Sequence, residues 1–140
     1  MSDASGTVRV VVGVDGSEAS RRALEFAASE AAAHGATLEV VRAWNFLDQP
    51  GPSFDPEYGE DKARSQASAL VDEVLGDDRP SDLVLTLIND HPAPALVGAA
   101  EGALMVVVGA RGLGGFKGML LGSVSQHVVH HATCPVLIVR

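Results

Sequence analysis

Residues Val8 to Val14, VRVVVGV, form an almost unbroken apolar and β-branched run. Such a run predicts a strand buried on both faces, as in the middle of a parallel sheet. The period then changes. Leu24, Ala27, Ala28 and Ala31 recur at three- and four-residue intervals, which predicts one helix from Glu18 to His34. Asp15-Gly16-Ser17 supplies the turn before it, Ser17 the N-cap, and Gly35 the C-terminal stop. Thr37 to Ala43 reads as a second strand. The stretch from Asn45 to Pro56 contains Pro50, Gly51, Pro52 and Pro56, and reads as a long loop. A second helix follows from Glu57 to Leu75, with Ala67, Leu70, Val71 and Val74 on one face. Leu83 to Ile88 is a third strand, and Pro92 and Pro94 lead into a helix from Ala93 to Glu101. Leu104 to Val108, Ser123 to His131 and Val136 to Val139 complete the pattern as strand, helix and strand.

This uninterrupted alternation predicts an open, doubly wound α/β fold. Five parallel strands would be joined by right-handed crossovers, with helices on both faces. No composition shift, repeat or low-complexity tract divides residues 1–140, so the expectation is a single domain. Apolar residues make up 46% of the 140 and aromatic residues only 4%. The core must therefore come from Val, Leu, Ile and Ala. The net charge of −8 argues against nucleic acid or an anionic membrane as a general partner. The lone Cys134 excludes an intramolecular disulfide. The N-terminal residues do not read as a secretory signal, and no apolar run approaches the roughly 18 residues of a membrane span. The expectation is a soluble cytoplasmic protein.

The candidate chemistry lies between Leu104 and Val124, LMVVVGARGLGGFKGMLLGSV. A strand breaks into Gly109, Gly112, Gly114, Gly115 and Gly118, then closes on Gly122-Ser123 where a helical pattern begins. Glycine permits close approach to the main chain, and a helix N-terminus attracts phosphate. Arg111 and Lys117 add positive charge. The spacing rules out two familiar phosphate loops. Lys117 is followed by Gly118 rather than Ser or Thr, so this is no Walker A loop. Lys117 also stands where the dinucleotide fingerprint requires Gly or Ala. A purely structural strand-to-helix connection is the competing reading.

The observed spacing is Gly109, two residues, Gly112, nine residues, then Gly122-Ser123. It resembles the ATP-binding signature of the universal stress protein family. The opening VVVGVDGSEAS, His91-Pro92-Ala93 and the closing HHATCPVLIVR extend the resemblance over the whole chain. The resemblance implies a Rossmann-like sheet of the adenine nucleotide α-hydrolase type, with strand order 3-2-1-4-5. It implies ATP as ligand, with Mg²⁺ carried by the phosphates. The implied contacts are Gly13, Val14 and Asp15 after the first strand, and Ala43 beside the adenine. On the glycine loop they are Gly109, Ala110, Arg111, Gly112, Leu113, Gly114 and Gly115. At the last helix they are Gly122, Ser123 and Val124. Each has a plainer reading. Asp15 can bond its own turn, Gly13 can pack under the last helix, Ala43 can be core, and Ser123 can be an ordinary N-cap. Ala110 departs from the family, which often has Ser or Thr there, so one hydrogen bond to ligand is expected to be missing.

His127 and His131 are four apart on the last helix, but no third ligand stands at metal-site spacing. Cys134 reads as structural, and no nucleophile elbow or other covalent-catalysis constellation is present. The last strand, an apolar edge in the implied order, predicts a homodimer through Val136 to Arg140. The functional expectation is a nucleotide-dependent stress regulator or sensor with at most slow ATP hydrolysis. Two alternatives stand beside it. An ATP-activating enzyme of the α-hydrolase type would need a different motif after the first strand than Val14-Asp15-Gly16-Ser17-Glu18. A nucleotide-independent dimeric interaction protein would not need the glycine loop. No residue pattern identifies a downstream protein partner.

Overall fold

The computed structural model describes residues 8–44, 59–111 and 122–140. Its elements in chain order are β1 (Arg9–Gly13), α1 (Glu18–His34), β2 (Thr37–Trp44), α2 (Glu60–Leu75), β3 (Val84–Asn89), α3 (Pro92–Ala99), β4 (Met105–Gly109), α4 (Ser123–His131) and β5 (Val136–Val139). A single 3₁₀ turn, Gly76–Asp78, follows α2. The five strands form one sheet in the order β3-β2-β1-β4-β5. Every neighbouring pair is parallel. The expected fold class and strand order are therefore observed.

The unbroken valine run of β1 conceals an alternation that the structure resolves. Val10, Val12 and Val14 pack with Ala23, Leu24, Ala27 and Ala31 of α1 and with Ala67, Leu70 and Val71 of α2. Val11 turns to the opposite face and joins Val41, Leu96, Val106, Val108 and Val128. Helices α1 and α2 thus cover one face, and α3 and α4 the other. Because successive strand residues point to opposite faces, a strand covered on both must be apolar at every position. Val10, Val11, Val12, Val106 and Val107 are all fully buried.

The caps of α1 match its sequence signals. The Ser17 side chain accepts from the Ser20 N–H, and Gly35 takes a left-handed conformation at φ 61°. Helix α2 begins at Glu60, three residues later than expected, with Gly59 as its N-cap; Glu57 and Tyr58 lie outside the described residues. The N-terminal end of the sheet is tied by a polar network. Arg9 donates to Glu39 Oε1 at 2.8 Å, to Ala99 O at 2.9 Å and to Glu101 O at 2.7 Å. Thr86 Oγ1 donates to the other Glu39 oxygen at 2.8 Å. One guanidinium therefore joins β1, β2 and the C-terminal end of α3, where a cation is favoured.

Candidate functional site

The winding reverses between β1 and β4. From β1 the chain crosses to α1 on one face, and after β4 it continues to α4 on the other. The carboxyl ends of two such strands are left with a crevice between them. Both strands end in glycine, and each glycine has a packing reason. A Cβ on Gly13 would lie 2.6 Å from Leu96 Cδ1. A Cβ on Gly109 would lie 2.7 Å from Ala19 Cβ and 2.9 Å from the Ala19 carbonyl carbon. Gly13 thus packs under α3 rather than under the last helix, and Gly109 packs against the first turn of α1.

The crevice opens into a cleft of about 510 Å³, counted out to its mouth. Its wall on β1 is Gly13, Val14 and Asp15, with Ser17 and Ser20 from the start of α1. Strand β2 supplies Val41 and Ala43, and α3 supplies Pro92 and Leu96. Val108, Gly109 and Arg111 come from the end of β4, and Val124 and Ser125 from α4. Hence Val41, Ala43, Pro92, Leu96 and Val108 make one apolar wall, while Asp15, Arg111 and the start of α4 bring polar groups.

Three helix N-termini meet the cleft, those of α1, α3 (through Pro92) and α4. Among the described residues α3 has no side-chain cap, and α1 and α4 differ. At α1 the polar groups are engaged locally. Asp15 Oδ1 accepts the Ser17 N–H at 2.9 Å, the Asx turn that the plainer reading of Asp15 anticipated. Ser17 Oγ accepts the Ser20 N–H at 3.2 Å, and Ser20 Oγ accepts the Asp15 N–H at 3.3 Å. At α4 the N-cap is Gly122, not Ser123, and among the described residues no side chain caps it. The first intrahelical amide is Gln126 N, which donates to Gly122 O at 3.0 Å. The N–H groups of Ser123, Val124 and Ser125 precede it, in the turn that has no acceptor within its own helix. With the positive end of the helix dipole, they form a place for an anion.

Ala110 holds that turn in position. Its carbonyl accepts from Gly122 N at 2.6 Å and from Ser125 Oγ at 2.9 Å, while its own N–H donates to Val139 O at 2.7 Å. The two ends of the glycine segment are thereby pinned together. Ala110 is buried and supports the cleft from behind rather than lining it. Ser123 is exposed at the first helical position. Gly112, Leu113, Gly114, Gly115 and Lys117 lie outside the described residues. The sequence reading did not single out Ser17 or Pro92 as cleft-lining, and it missed Ser20, Val41, Leu96, Val108 and Ser125. Val41 was recoverable, two residues before Ala43 on the same strand face, as was Ser125, three after Gly122. Leu96 was not, because its contact with Gly13 spans most of the chain.

Cys134 stands apart from the cleft. Burial pushes its thiol above the ordinary range, against weaker opposing effects of backbone hydrogen bonds and Arg9. Among the described residues no three His, Cys, Asp or Glu side chains cluster as a metal site. Nor is any described helix long and apolar enough to cross a membrane.

The fold and crevice define a doubly wound α/β protein with its candidate site at the topological switch point. Comparison with known proteins narrows the class. The family model described as "Universal stress protein family" matches residues 7–140. The chain belongs to that family. It is 40% identical over 137 residues to universal stress protein Rv1996 of Mycobacterium tuberculosis, covering 94% of this chain and 43% of that protein. It is 37% identical over 135 residues to Rv2623 of the same species, covering 94% of this chain and 44% of that protein. The chain therefore spans less than half the length of these curated relatives. Among solved structures it is similar to a universal stress protein in complex with cAMP, at TM-score 0.67 and 31% identity, covering 95% of this chain and 96% of that one. It shares its fold with UspA from Lactobacillus plantarum, at TM-score 0.75 and 22% identity, covering 95% and 97%.

Proposed function

We propose that this chain binds an adenine nucleotide in the switch-point cleft and acts in the cytoplasm as a nucleotide-dependent stress regulator. ATP is the ligand, with Mg²⁺ carried by its phosphates. The observation that carries this reading is the first turn of α4, uncapped by any described side chain and opening onto an apolar cleft. Val41, Ala43, Pro92, Leu96 and Val108 offer a slot for a flat base. Gly13, Val14 and Asp15 border the sugar. The amides of Ser123 and Val124 receive phosphate, with Gly109 and Gly122 contributing main chain beside it and Arg111 adding charge at the rim. Gly112, Leu113, Gly114 and Gly115 complete the phosphate loop, and Ala110 holds its ends together. The described cleft contains no histidine, cysteine or lysine, and its one carboxylate, Asp15, accepts a bond from its own turn. That composition favours binding over rapid hydrolysis.

The resemblance and the edge position of β5 support a homodimer formed through Val136 to Arg140. Light scattering at micromolar concentration should give twice the chain mass; a monomer would sink that part of the reading.

Ser123→Pro tests the site itself. Proline is well tolerated at the first helical position; it removes the N–H together with the serine hydroxyl, and Ser123→Ala, which removes the hydroxyl alone, separates the two. The residue before a proline must be extended, and Gly122 already is, at φ −76° and ψ 172°. One lost hydrogen bond to a charged phosphate is worth about 1.5–3 kcal/mol, so Mg²⁺-ATP affinity should fall roughly tenfold or more. The unfolding midpoint should barely move. Calorimetric titration of nucleotide-stripped protein decides the matter, and unchanged affinity would refute phosphate placement at α4. The relative solved with cAMP supports a second reading, a cyclic nucleotide as the signal. Titration with cyclic AMP and GTP beside ATP separates the two. Binding of none of the three would refute both.

A further inference from the structure

His127 and His131 lie one turn apart on α4, outside the residues that line the cleft. Both are exposed. Their rings meet, with centroids 4.3 Å apart and planes inclined by 36°. Val128 between them is fully buried against the sheet, which fixes the rotation of the helix. Neither imidazole has a hydrogen-bond or ion-pair partner among the described residues. His130, the third histidine of this helix, makes no ring contact with them.

Side chains four apart on a helix stand one above the other. Two neutral imidazoles held this way can direct one nitrogen each at a shared ion. The sequence spacing supplied no third ligand, and the structure supplies none among the described residues. It adds that the two rings are already adjacent and unengaged. Imidazole nitrogen suits copper, nickel and zinc, whereas magnesium and calcium prefer oxygen. We propose that His127 and His131 form a two-imidazole site on α4 for a divalent transition metal, Cu²⁺ or Zn²⁺, with water in the remaining positions. The site is separate from any Mg²⁺ that a nucleotide would bring. A bound ion would staple the last turn of a nine-residue helix, short enough to fray at its ends.

The test is calorimetric titration of the metal-stripped, nucleotide-stripped full chain with Cu²⁺, Zn²⁺ and Mg²⁺. The expected result is one saturable equivalent per chain, tighter for Cu²⁺ than for Zn²⁺, with no Mg²⁺ signal. His127→Gln and His131→Gln should each lose it, and His130→Gln should keep it. All three positions are exposed, so the variants should fold, and far-UV circular dichroism checks that. The absence of saturable binding would overturn the proposal. So would binding that persists in the His127→Gln/His131→Gln double variant, equal loss in His130→Gln, or one ion per two chains.

Discussion

Gly13 and Leu96 offer a direct test of the cleft's packing. In Gly13→Ala the new Cβ would stand 2.6, 2.9 and 3.2 Å from Leu96 Cδ1, Cδ2 and Cγ. All three are side-chain atoms, so the strand can stay in place if Leu96 swings aside. Overpacking of this kind costs about 1–3 kcal/mol. Replacing glycine where no unusual backbone angle is needed returns about 0.4–1 kcal/mol through the unfolded chain. The net loss should be at most about 2.6 kcal/mol. Leu96 is only 4% exposed, so Leu96→Ala alone should cost about 2–5 kcal/mol. In the double variant the added methyl enters the space the leucine vacates. The double should therefore be no less stable than Leu96→Ala, giving a favourable coupling on the order of 1–2 kcal/mol. Urea unfolding of all four proteins, followed by far-UV circular dichroism, measures this cycle. Additivity to within about 0.5 kcal/mol would refute the contact.

Three further outcomes follow from the structure. Gly109→Ala should cost more than Gly13→Ala, about 3 kcal/mol or above, because its obstacle includes the Ala19 backbone and not only a side chain; equal urea midpoints would contradict this. Arg9→Met should lose about 1–3 kcal/mol, since it strips the bonds to Ala99 O and Glu101 O and leaves the half-buried Glu39 without its cation; Glu39→Gln in the same background should then recover part of the loss in chemical denaturation. Desolvation raises the Cys134 pKa, so the folded state favours the neutral thiol. Its contribution to stability is present below the unfolded thiol's pKa and is lost as pH rises through the folded one. The midpoint of iodoacetamide reactivity against pH should lie higher in native protein than in urea, and a lower native midpoint would be the wrong sign.

Local signals carried most of the fold. The valine run of β1, the Ser17 and Gly35 caps and the 3.6-residue period of α1 each depend on neighbours in sequence, and each is observed. What stayed hidden depends on distant contacts. An all-valine strand does not reveal that Val11 faces α3 and α4 while Val10 and Val12 face α1 and α2. The capping of α4 was misplaced by one residue, because Gly-Ser presents two acceptable caps. Ser123 was the natural choice from propensity, yet the hydroxyl that ties the turn is that of Ser125, bound to Ala110 O and Gly122 O.

The strand-end glycines carry the larger lesson. At a switch point, helices leave neighbouring strands on opposite faces and crowd both strand ends from above and below. Gly13 and Gly109 are required by Leu96 and Ala19 whether or not a ligand binds. They therefore cannot distinguish a binding site from a bare connection, although they are the residues a motif reading weighs most. The starts of α1 and α4 bear on that choice only through a test, because α2 and α3 also begin without a side-chain cap among the described residues. At α1, Asp15, Ser17 and Ser20 bond to one another. At α4, Gly122 has no side chain to offer and Ser125 turns its hydroxyl back to the main chain. A loop selected only to connect strand and helix would gain a few tenths of a kcal/mol (about 0.3) from a capping side chain in place of Gly122. A cap there would compete with an incoming phosphate for the same amides. Gly122→Asp should accordingly raise the unfolding midpoint while weakening nucleotide binding, and a variant that improves both would point to a connector.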